Sequence, residues 1–308
     1  MMQKKRWLFF GAGVLGSLYA AWFQEAGEDV TLVARGERYT AIQENGIVLQ
    51  HFQTGKETRT QVKVVSSIPD DPFDVCVVFV QKTQLESALE VLKKAKEIKV
   101  FIFMHNTADG IGSLVETLGK ERILMGHANA GGERVDQTVL YMTSQKMTLG
   151  ELDGSNSERI QEITAVFEKA GFPVEISRDI DAWKKYHVAL AMPFALAMER
   201  NDCCNFVMAE NKEDVRLCLQ GIREAFQVLK GIGIEAEPKK LGQVFWLPDW
   251  MLSPLFRKML RTQIADIGMA RHLRNAREEM QQLRVEFENL VEVTNSKTPA
   301  LDELRKAQ

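Results

Sequence analysis

A glycine-rich turn near the beginning of this 308-residue chain constrains its fold more than any other stretch. The bulky apolar residues 7–10 predict a buried strand, and glycines follow at once with the spacing G-x-G-x-x-G. Apolar residues at helical spacing continue to Ala26-Gly27, where the helix is predicted to end. This order of elements is typical of dinucleotide-binding folds, because the first free N–H groups of the helix hold the pyrophosphate. We therefore predict that a dinucleotide binds at Gly11, Ala12, Gly13, Val14, Leu15 and Gly16.

The overall composition excludes several classes of protein. A formal net charge of −3 gives no basic surface for nucleic acid or an anionic membrane, so we expect neither partner. The cysteines form no C-x-x-C pair and the histidines show no metal-binding spacing, so we expect reduced thiols and no metal site. A basic start followed by an apolar run resembles an export signal, but the glycines interrupt that run at dinucleotide-fold positions. We therefore expect a cytoplasmic protein.

The residue after the second predicted strand indicates which dinucleotide binds. Residues 29–34 predict that strand, and Arg35 follows it about 20 residues past the glycine turn. Sites that prefer NAD usually place a carboxylate here to bind the ribose hydroxyls. A guanidinium instead suits a phosphate monoester through its charge and forked geometry. Arg35, with Arg38 close by in the sequence, therefore favours NADP as the cofactor.

Two further strands are predicted to end near the same crevice. Residues 74–80 and 100–104 are predicted buried strands, apolar except for Asp74, and Lys82 and His105-Asn106 follow them. Ligands of open α/β sheets bind beyond the carboxyl ends of the strands. Lys82 and Asn106 are therefore candidates for binding both the cofactor and the substrate.

The sequence pattern changes near residue 177. Strands alternate with helices up to residue 176, and long helical patterns follow at 182–199, 212–231 and 253–293. The sequence therefore predicts an α/β protein with a Rossmann-type parallel-sheet domain over residues 1–177 and an all-helical domain over residues 178–308. An apolar stretch at 245–252 leaves three interpretations open: core packing, a cover over the cleft and a homodimer interface.

Two adjacent lysines open the first helix of the predicted helical domain. A lysine that faces an apolar cleft can protonate the oxyanion that forms as hydride reaches a carbonyl, since burial lowers the pKa of its ammonium group. Lys184 and Lys185 point about 100° apart on a helix, so only one of them is expected to face the cleft. Periodicity alone does not separate a catalytic lysine from surface charge.

Taken together, these motifs resemble the ketopantoate reductase (2-dehydropantoate 2-reductase) family over nearly the whole chain. GAGVLGSLYA, VARGER, VQKTQ and HN resemble the family's glycine turn, phosphate-binding arginine, strand-end lysine and strand-end asparagine. The resemblance implies that NADP binds at the glycine turn, Arg35, Lys82 and Asn106. AWKKYHVALAMPFALA is similar to the family's W-x-K signature, which implies that Lys185 is the catalytic lysine.

The C-terminal part of the resemblance depends on two anchors. The segment Arg277-Glu278-Glu279-Met280 is similar to the family's R-T-E-I segment. Pro299 lies about 20 residues past Glu279, much as the family's terminal proline follows its glutamate. The resemblance therefore implies that Glu279 anchors the substrate.

Other positions depart from the family pattern. Ala189 and Met192 stand where the family has substrate-binding asparagines, and Thr107 replaces the glycine that follows the strand-end asparagine. Residues 268–272 replace the family's S-M-x-x-D stretch, and His272 within them is a candidate for binding a different anionic substrate. Each lost donor would leave a polar group of the substrate unpaired, at a cost of roughly 1–3 kcal/mol.

The expected function is NADPH-dependent reduction of a 2-oxo acid to a 2-hydroxy acid, resembling the ketopantoate reaction of pantothenate biosynthesis. Lys185 would donate the proton and Glu279 would hold this small-molecule substrate. Two alternatives stay open. The chain could be an NADP-binding regulatory relative without catalysis, or a related dehydrogenase with an opine-like or hydroxy-acid substrate.

Overall fold

The chain divides into two compact units that are not both continuous in sequence. The computed structural model describes residues 4–128, 130–143 and 146–306, with every side chain in these ranges except that of His272. The first unit runs to His105 and from Ile111 to Ile180. The second contains the five-residue segment Asn106–Gly110 and the chain from Asp181 onward. The sequence pattern did not indicate that a segment from the first half of the chain groups with the helices.

The first unit alternates strands and helices, as the apolar runs predicted. Its strands are β1 Arg6–Phe10, β2 Asp29–Val33, β3 Ile47–His51, β4 Glu57–Thr60, β5 Lys63–Val65, β6 Phe73–Val78, β7 Ile98–Phe103, β8 Ile123–His127, β9 Ala130–Val135, β10 Thr138–Thr143, β11 Met147–Glu151 and β12 Val174–Ile176. Its helices are α1 Val14–Glu25, α2 Gly36–Asn45, α3 Leu85–Leu92, α4 Gly112–Leu118 and α5 Glu158–Lys169.

The larger sheet has the strand order β12-β11-β8-β7-β6-β1-β2-β5. Neighbouring strands are parallel except β11, which runs antiparallel to β8. The chain fills positions on the β2 side of β1 first and then returns to place β6 on its other side. This reversal is the topological switch point at which open α/β sheets bind ligands, so the fold confirms the predicted Rossmann-type architecture.

A smaller sheet with the order β4-β3-β10-β9 lies in the same unit. Its central strands β3 and β10 are parallel to each other, and each has an antiparallel partner at the edge. The sequence predicted extended segments here but neither this second sheet nor β9. Strands that are distant in sequence pair in it, and local periodicity carries no information about such pairing.

An aromatic cluster packs the strand and helix on either side of the glycine turn. The rings of Trp7 on β1 and Phe23 on α1 meet edge to face with centroids 4.9 Å apart. Phe167 on α5 meets Phe23 at the same distance. All three side chains are fully buried, and such packing fixes the direction in which α1 leaves the turn.

The second unit is helical, as predicted. Its helices are α6 Ile180–Glu199, α7 Asn205–Glu210, α8 Lys212–Gly231, α9 Lys239–Val244, α10 Asp249–Leu260, α11 Gln263–Ala265, α12 Arg271–Asn275, α13 Arg277–Thr294 and α14 Pro299–Arg305. The predicted helices at 182–199 and 212–231 correspond to α6 and α8. Across the described residues, no helix is both long enough and apolar enough to cross a lipid bilayer.

The single helix predicted over residues 253–293 is wrong. The chain breaks at Thr262, whose side chain accepts a hydrogen bond from the backbone N–H of Ala265 and so begins a new helix. A π-helical stretch, Asp266–Ala270, follows, and Ala276 separates α12 from α13 with φ −126° and ψ 32°. Neither break involves proline or glycine, the residues that interrupt helices most strongly.

The apolar stretch at 245–252 is only partly core. Phe245 and Leu252 are buried, whereas Trp246 and Trp250 are exposed, the latter by 76%. Arg223 holds the stretch in place by donating hydrogen bonds to the carbonyl oxygens of Phe245 and Leu247. Core packing therefore explains the ends of this stretch but not its tryptophans.

Candidate active site

The glycine turn is built from two closely packed glycines and one open glycine. Gly11 has φ +106°, and a Cβ there would collide with the carbonyl oxygen of Phe79, just past β6. A Cβ on Gly16 would collide with the carbonyl oxygen of Gly11. Gly13 differs, because a Cβ there would meet no atom within 4 Å. The first and third glycines are thus required by the protein's own packing, and the second leaves open space.

The open space lies at the N-terminus of α1, where an anion is favoured. Gly13 is the N-cap of α1, no side chain caps the helix, and its first turn carries no acidic residue. The first N–H groups of an α-helix lack partners within the helix and form its positive end. The residues present therefore fit the pyrophosphate of a dinucleotide, and binding at residues 11–16 stays a prediction.

Arg38 supports the turn from behind. Its guanidinium donates hydrogen bonds to the carbonyl oxygen of Ala12 at 3.3 Å, the Ser17 hydroxyl at 3.0 Å and the carbonyl oxygen of Gln137 at 3.1 Å. Burial, with a smaller effect from the positive charge of Arg134, lowers the pKa of Arg38 to about 10. Arg38 is therefore a structural part of the turn.

Arg35 is placed differently. It follows β2 directly and is the N-cap residue of α2, with extended backbone angles and an exposed side chain. Because β1 and β2 are adjacent and parallel, Arg35 and the glycine turn share the carboxyl edge of the sheet. Of Arg35 and Arg38, Arg35 is the one whose side chain is exposed.

Lys82 is the third predicted residue at this edge. It begins a 3₁₀ turn after β6, which lies next to β1 on the side away from β2, and its side chain is buried. The glycine turn, Arg35 and Lys82 therefore follow three neighbouring parallel strands around the switch point.

Asn106 belongs to the segment that groups with the helices. Backbone N–H groups of this segment, those of Ala108 and Asp109, donate to Glu286 Oε2 on α13 at 2.9 and 3.4 Å. The Thr107 hydroxyl lies 2.6 Å from Asp109 Oδ1 and 3.0 Å from the carbonyl oxygen of Gly110. Thr107, which departs from the family pattern, therefore contributes hydrogen bonds that order the segment.

The two adjacent lysines of α6 have different surroundings. Lys184 is 1% exposed, and burial lowers the pKa of its ammonium group to about 7, against a smaller opposing effect of the Glu279 charge. Lys185 forms an ion pair with Asp181, one turn earlier on α6. The side chain of Asp181 is nearly half exposed. The structure thus brings Lys184 into electrostatic interaction with the buried Glu279.

The sequence reasoning missed Glu286. This residue lies seven positions after Glu279, so both carboxylates project from the same face of α13, and both are buried. Helical spacing from a candidate anchor was the one available signal. Spacing alone does not distinguish Glu286 from other carboxylates of α13, because the sequence does not show which face of the helix is buried.

A model of a known protein family matches the N-terminal part of the chain. Residues 7–154 match the family model described as ketopantoate reductase PanE/ApbA. Over these residues the chain is similar to ketopantoate reductases. This match spans β1 to just past β11 and confirms the resemblance seen in the sequence motifs. The family is one of NADP-dependent oxidoreductases, and NADPH-dependent reduction of 2-oxo acids is its general reaction.

Curated relatives and solved structures are similar to the chain beyond residues 7–154 as well. A 2-dehydropantoate 2-reductase of Pyrococcus abyssi is 27% identical over 243 residues, which cover 76% of this chain and 77% of that protein. A PanE/ApbA family ketopantoate reductase from Ralstonia eutropha JMP134 has a similar fold, with a TM-score of 0.76 and 19% identity, covering 97% and 95% of the two chains. A D-mandelate dehydrogenase solved with NADH and anilino(oxo)acetate has the same fold, with a TM-score of 0.77 and 16% identity, covering 98% and 96%.

Outside residues 7–154, a cavity of about 230 Å³ lies between α6 and α13 of the helical unit. Met192, Glu199, Arg277 and Arg284 are among its lining residues, and Lys184, Lys185 and Glu279 are not. The predicted substrate residue His272 lies on α12, and its side chain is outside the described part of the structure.

Proposed function

We propose that the chain is an NADPH-dependent reductase that converts a 2-oxo acid into a 2-hydroxy acid. The observation that carries the proposal is the buried Lys184, which interacts electrostatically with the buried carboxylate of Glu279, in a chain whose other unit offers an open helix N-terminus to a dinucleotide. An amine that titrates near neutral pH can donate a proton at physiological pH and then be reprotonated.

When bound, NADPH supplies the hydride that reduces the carbonyl carbon. A lysine ammonium donates a proton to the carbonyl oxygen, which becomes the hydroxyl of the product. Glu279 accepts hydrogen bonds from the substrate and, through its negative charge, favours the protonated form of the lysine. The glycine turn holds the pyrophosphate, Arg35 binds the 2′-phosphate, and Lys82 and Asn106 hold the nicotinamide end and the substrate. His272 stays a candidate for an additional contact with the substrate.

Two lysines compete for the role of the acid. The W-x-K spacing assigns it to Lys185, whereas burial and the interaction with Glu279 support Lys184. We favour Lys184, because its side chain is the more deeply buried of the two and interacts electrostatically with Glu279. Exchange of either lysine for methionine keeps the length of the side chain and removes the proton.

The test is the kinetics of Lys184→Met and Lys185→Met. We expect Lys184→Met to lower kcat by about 10²- to 10⁴-fold and Lys185→Met to lower it much less. In the unchanged enzyme kcat/KM should fall as the pH rises above about 7, because the acid must carry its proton, and Lys185→Met should keep this fall. The reverse order of effects would assign the acid to Lys185, and full activity in both variants would exclude a lysine acid.

The substrate is the less constrained part of the proposal. Ala189 and Met192, which replace asparagines of the family pattern, are both buried in the helical unit and offer no hydrogen bonds to a substrate. This favours a 2-oxo acid with a more apolar side chain than ketopantoate, which nonetheless stays the first compound to test. A spectrophotometric screen of NADPH oxidation across 2-oxo acids, including amino-acid-linked ones, decides between them. Tight NADPH binding without oxidation by any of them would instead favour the regulatory alternative.

A further inference from the structure

We propose that Glu286 is a positioning residue that fixes the segment Asn106–Gly110, and with it Asn106, on the face of α13 that carries Glu279. The proposal rests on the proposed function, because it gives Asn106 and Glu279 a shared substrate. It assigns to the helical unit a task that neither the glycine turn nor the lysine pair performs, which is to hold a strand-end asparagine in place.

The hydrogen bonds of Glu286 carry the first step. One carboxylate oxygen accepts from two successive backbone N–H groups, those of Ala108 and Asp109. Glu286 is buried, so these donors replace water as partners of its charge. A carboxylate that accepts two backbone N–H groups restrains the angles of both peptides more strongly than a single neutral hydrogen bond would.

Two further observations place the same segment within the same unit. The side chain of Ala108 is fully buried in the hydrophobic core formed by the helices. Gly110 has φ +92°, and a Cβ there would lie 3.8 Å from Asp181 Oδ1 and 3.9 Å from Lys185 Nζ. The segment is therefore held at its middle by Glu286 and Ala108 and at its end beside the ion pair of α6.

The spacing on α13 links this restraint to the substrate anchor. Glu279 and Glu286 are seven residues apart, which places them two turns apart on one helical face. Any shift of the segment relative to α13 would change the distance from Asn106 to Glu279. Misplacement by about 1 Å can cost on the order of 100-fold in rate, so a residue that prevents the shift would be visible in kcat.

The experiment compares three variants of the full chain. Glu286→Leu removes both acceptor oxygens, and Glu286→Gln keeps one amide oxygen that can accept. Glu292→Leu is the matched control, since Glu292 is exposed on the same helix. Amide hydrogen exchange of a peptide covering residues 104–111 is measured with and without NADPH, together with kcat and the KM for NADPH and for the 2-oxo acid.

We expect exchange in this peptide to rise at least about tenfold in Glu286→Leu, less in Glu286→Gln and not at all in Glu292→Leu. We also expect kcat to fall about 10- to 100-fold in Glu286→Leu while the KM for NADPH changes little, because the glycine turn and Arg35 are intact. Partial recovery of kcat in Glu286→Gln would separate a positioning role from a loss of folding, and this variant is used alone if Glu286→Leu does not fold.

Unchanged exchange in a folded Glu286→Leu protein would overturn the proposal. So would a lower melting temperature with kcat and KM unchanged, because Glu286 would then only stabilise the fold. If none of the tested 2-oxo acids led the unaltered chain to oxidise NADPH, the proposed function would fail. The exchange measurement would still decide whether Glu286 fixes the segment.

Discussion

Arg35 and Arg38 lie three residues apart and have different roles. Arg35 is exposed at the carboxyl edge of the sheet, whereas Arg38 is buried and donates to the backbone of the glycine turn. Residue type and proximity in sequence made both of them candidates for a phosphate. What separates them is burial, which depends on how α2 packs and cannot be obtained from the local sequence.

We predict that Arg35→Ala weakens NADPH binding by about 10- to 100-fold and leaves NADH binding nearly unchanged, because only NADPH carries the 2′-phosphate. Arg38→Ala should instead weaken binding of both cofactors and lower the free energy of unfolding, since the polar groups it leaves are buried. Fluorescence titration with each cofactor and urea unfolding measure the two effects. Equal losses for NADPH and NADH in Arg35→Ala would contradict the assigned role.

The glycines of the turn allow a second comparison between single residues. Gly16→Ala should lower the free energy of unfolding by about 1–3 kcal/mol, because its Cβ collides with the carbonyl oxygen of Gly11. Gly13→Ala should change stability little, since Gly13 has φ −72° and open space around it. The added methyl group occupies that space, so we expect NADPH affinity to fall at least about tenfold. Retained affinity in Gly13→Ala would mean that the pyrophosphate lies elsewhere.

At the scale of elements, the strands and helices around the glycine turn agree with the sequence because local pattern and tertiary role coincide there. Apart from a charged residue in the first two positions of each, β1, β6 and β7 are apolar and mostly buried, and α1 packs the ring of Phe23 on β1. The region after residue 253 shows the opposite case. Its residues favour a continuous helix, but the ends of α10, α12 and α13 are set by packing within the helical unit.

Thr262 tests this account of the broken helix. Its side chain accepts a hydrogen bond from the N–H of Ala265 at 3.2 Å and donates to the carbonyl oxygen of Met259 at 2.7 Å. We expect Thr262→Ala to lower the free energy of unfolding by about 1 kcal/mol and Thr262→Ser to lower it much less. Urea unfolding monitored by circular dichroism provides the measurement. Equal stability of all three proteins would show that the break does not depend on this cap.

At the scale of the whole molecule, the candidate residues divide into those whose placement follows from the strand pattern and those whose placement depends on helix packing. The glycine turn, Arg35 and Lys82 follow successive strands, and parallel pairing aligns the ends of such strands at one edge. Lys184 on α6 lies 95 or more positions before Glu279 and Glu286 on α13. How deeply each lysine is buried, and which carboxylate meets the segment after β7, depends on helix packing that no local pattern specifies.

The second unit is assembled from two separate stretches of the chain, and this affects how the protein can be recombined. A chimaera with one crossover between Ile180 and Asp181 would take its helices from one parent and the segment Asn106–Gly110 from the other. Glu286 and the backbone that it binds would then come from different parents, because they lie on opposite sides of the junction. Exchange of the helical unit between relatives therefore calls for two grafts, the five-residue segment together with the helices.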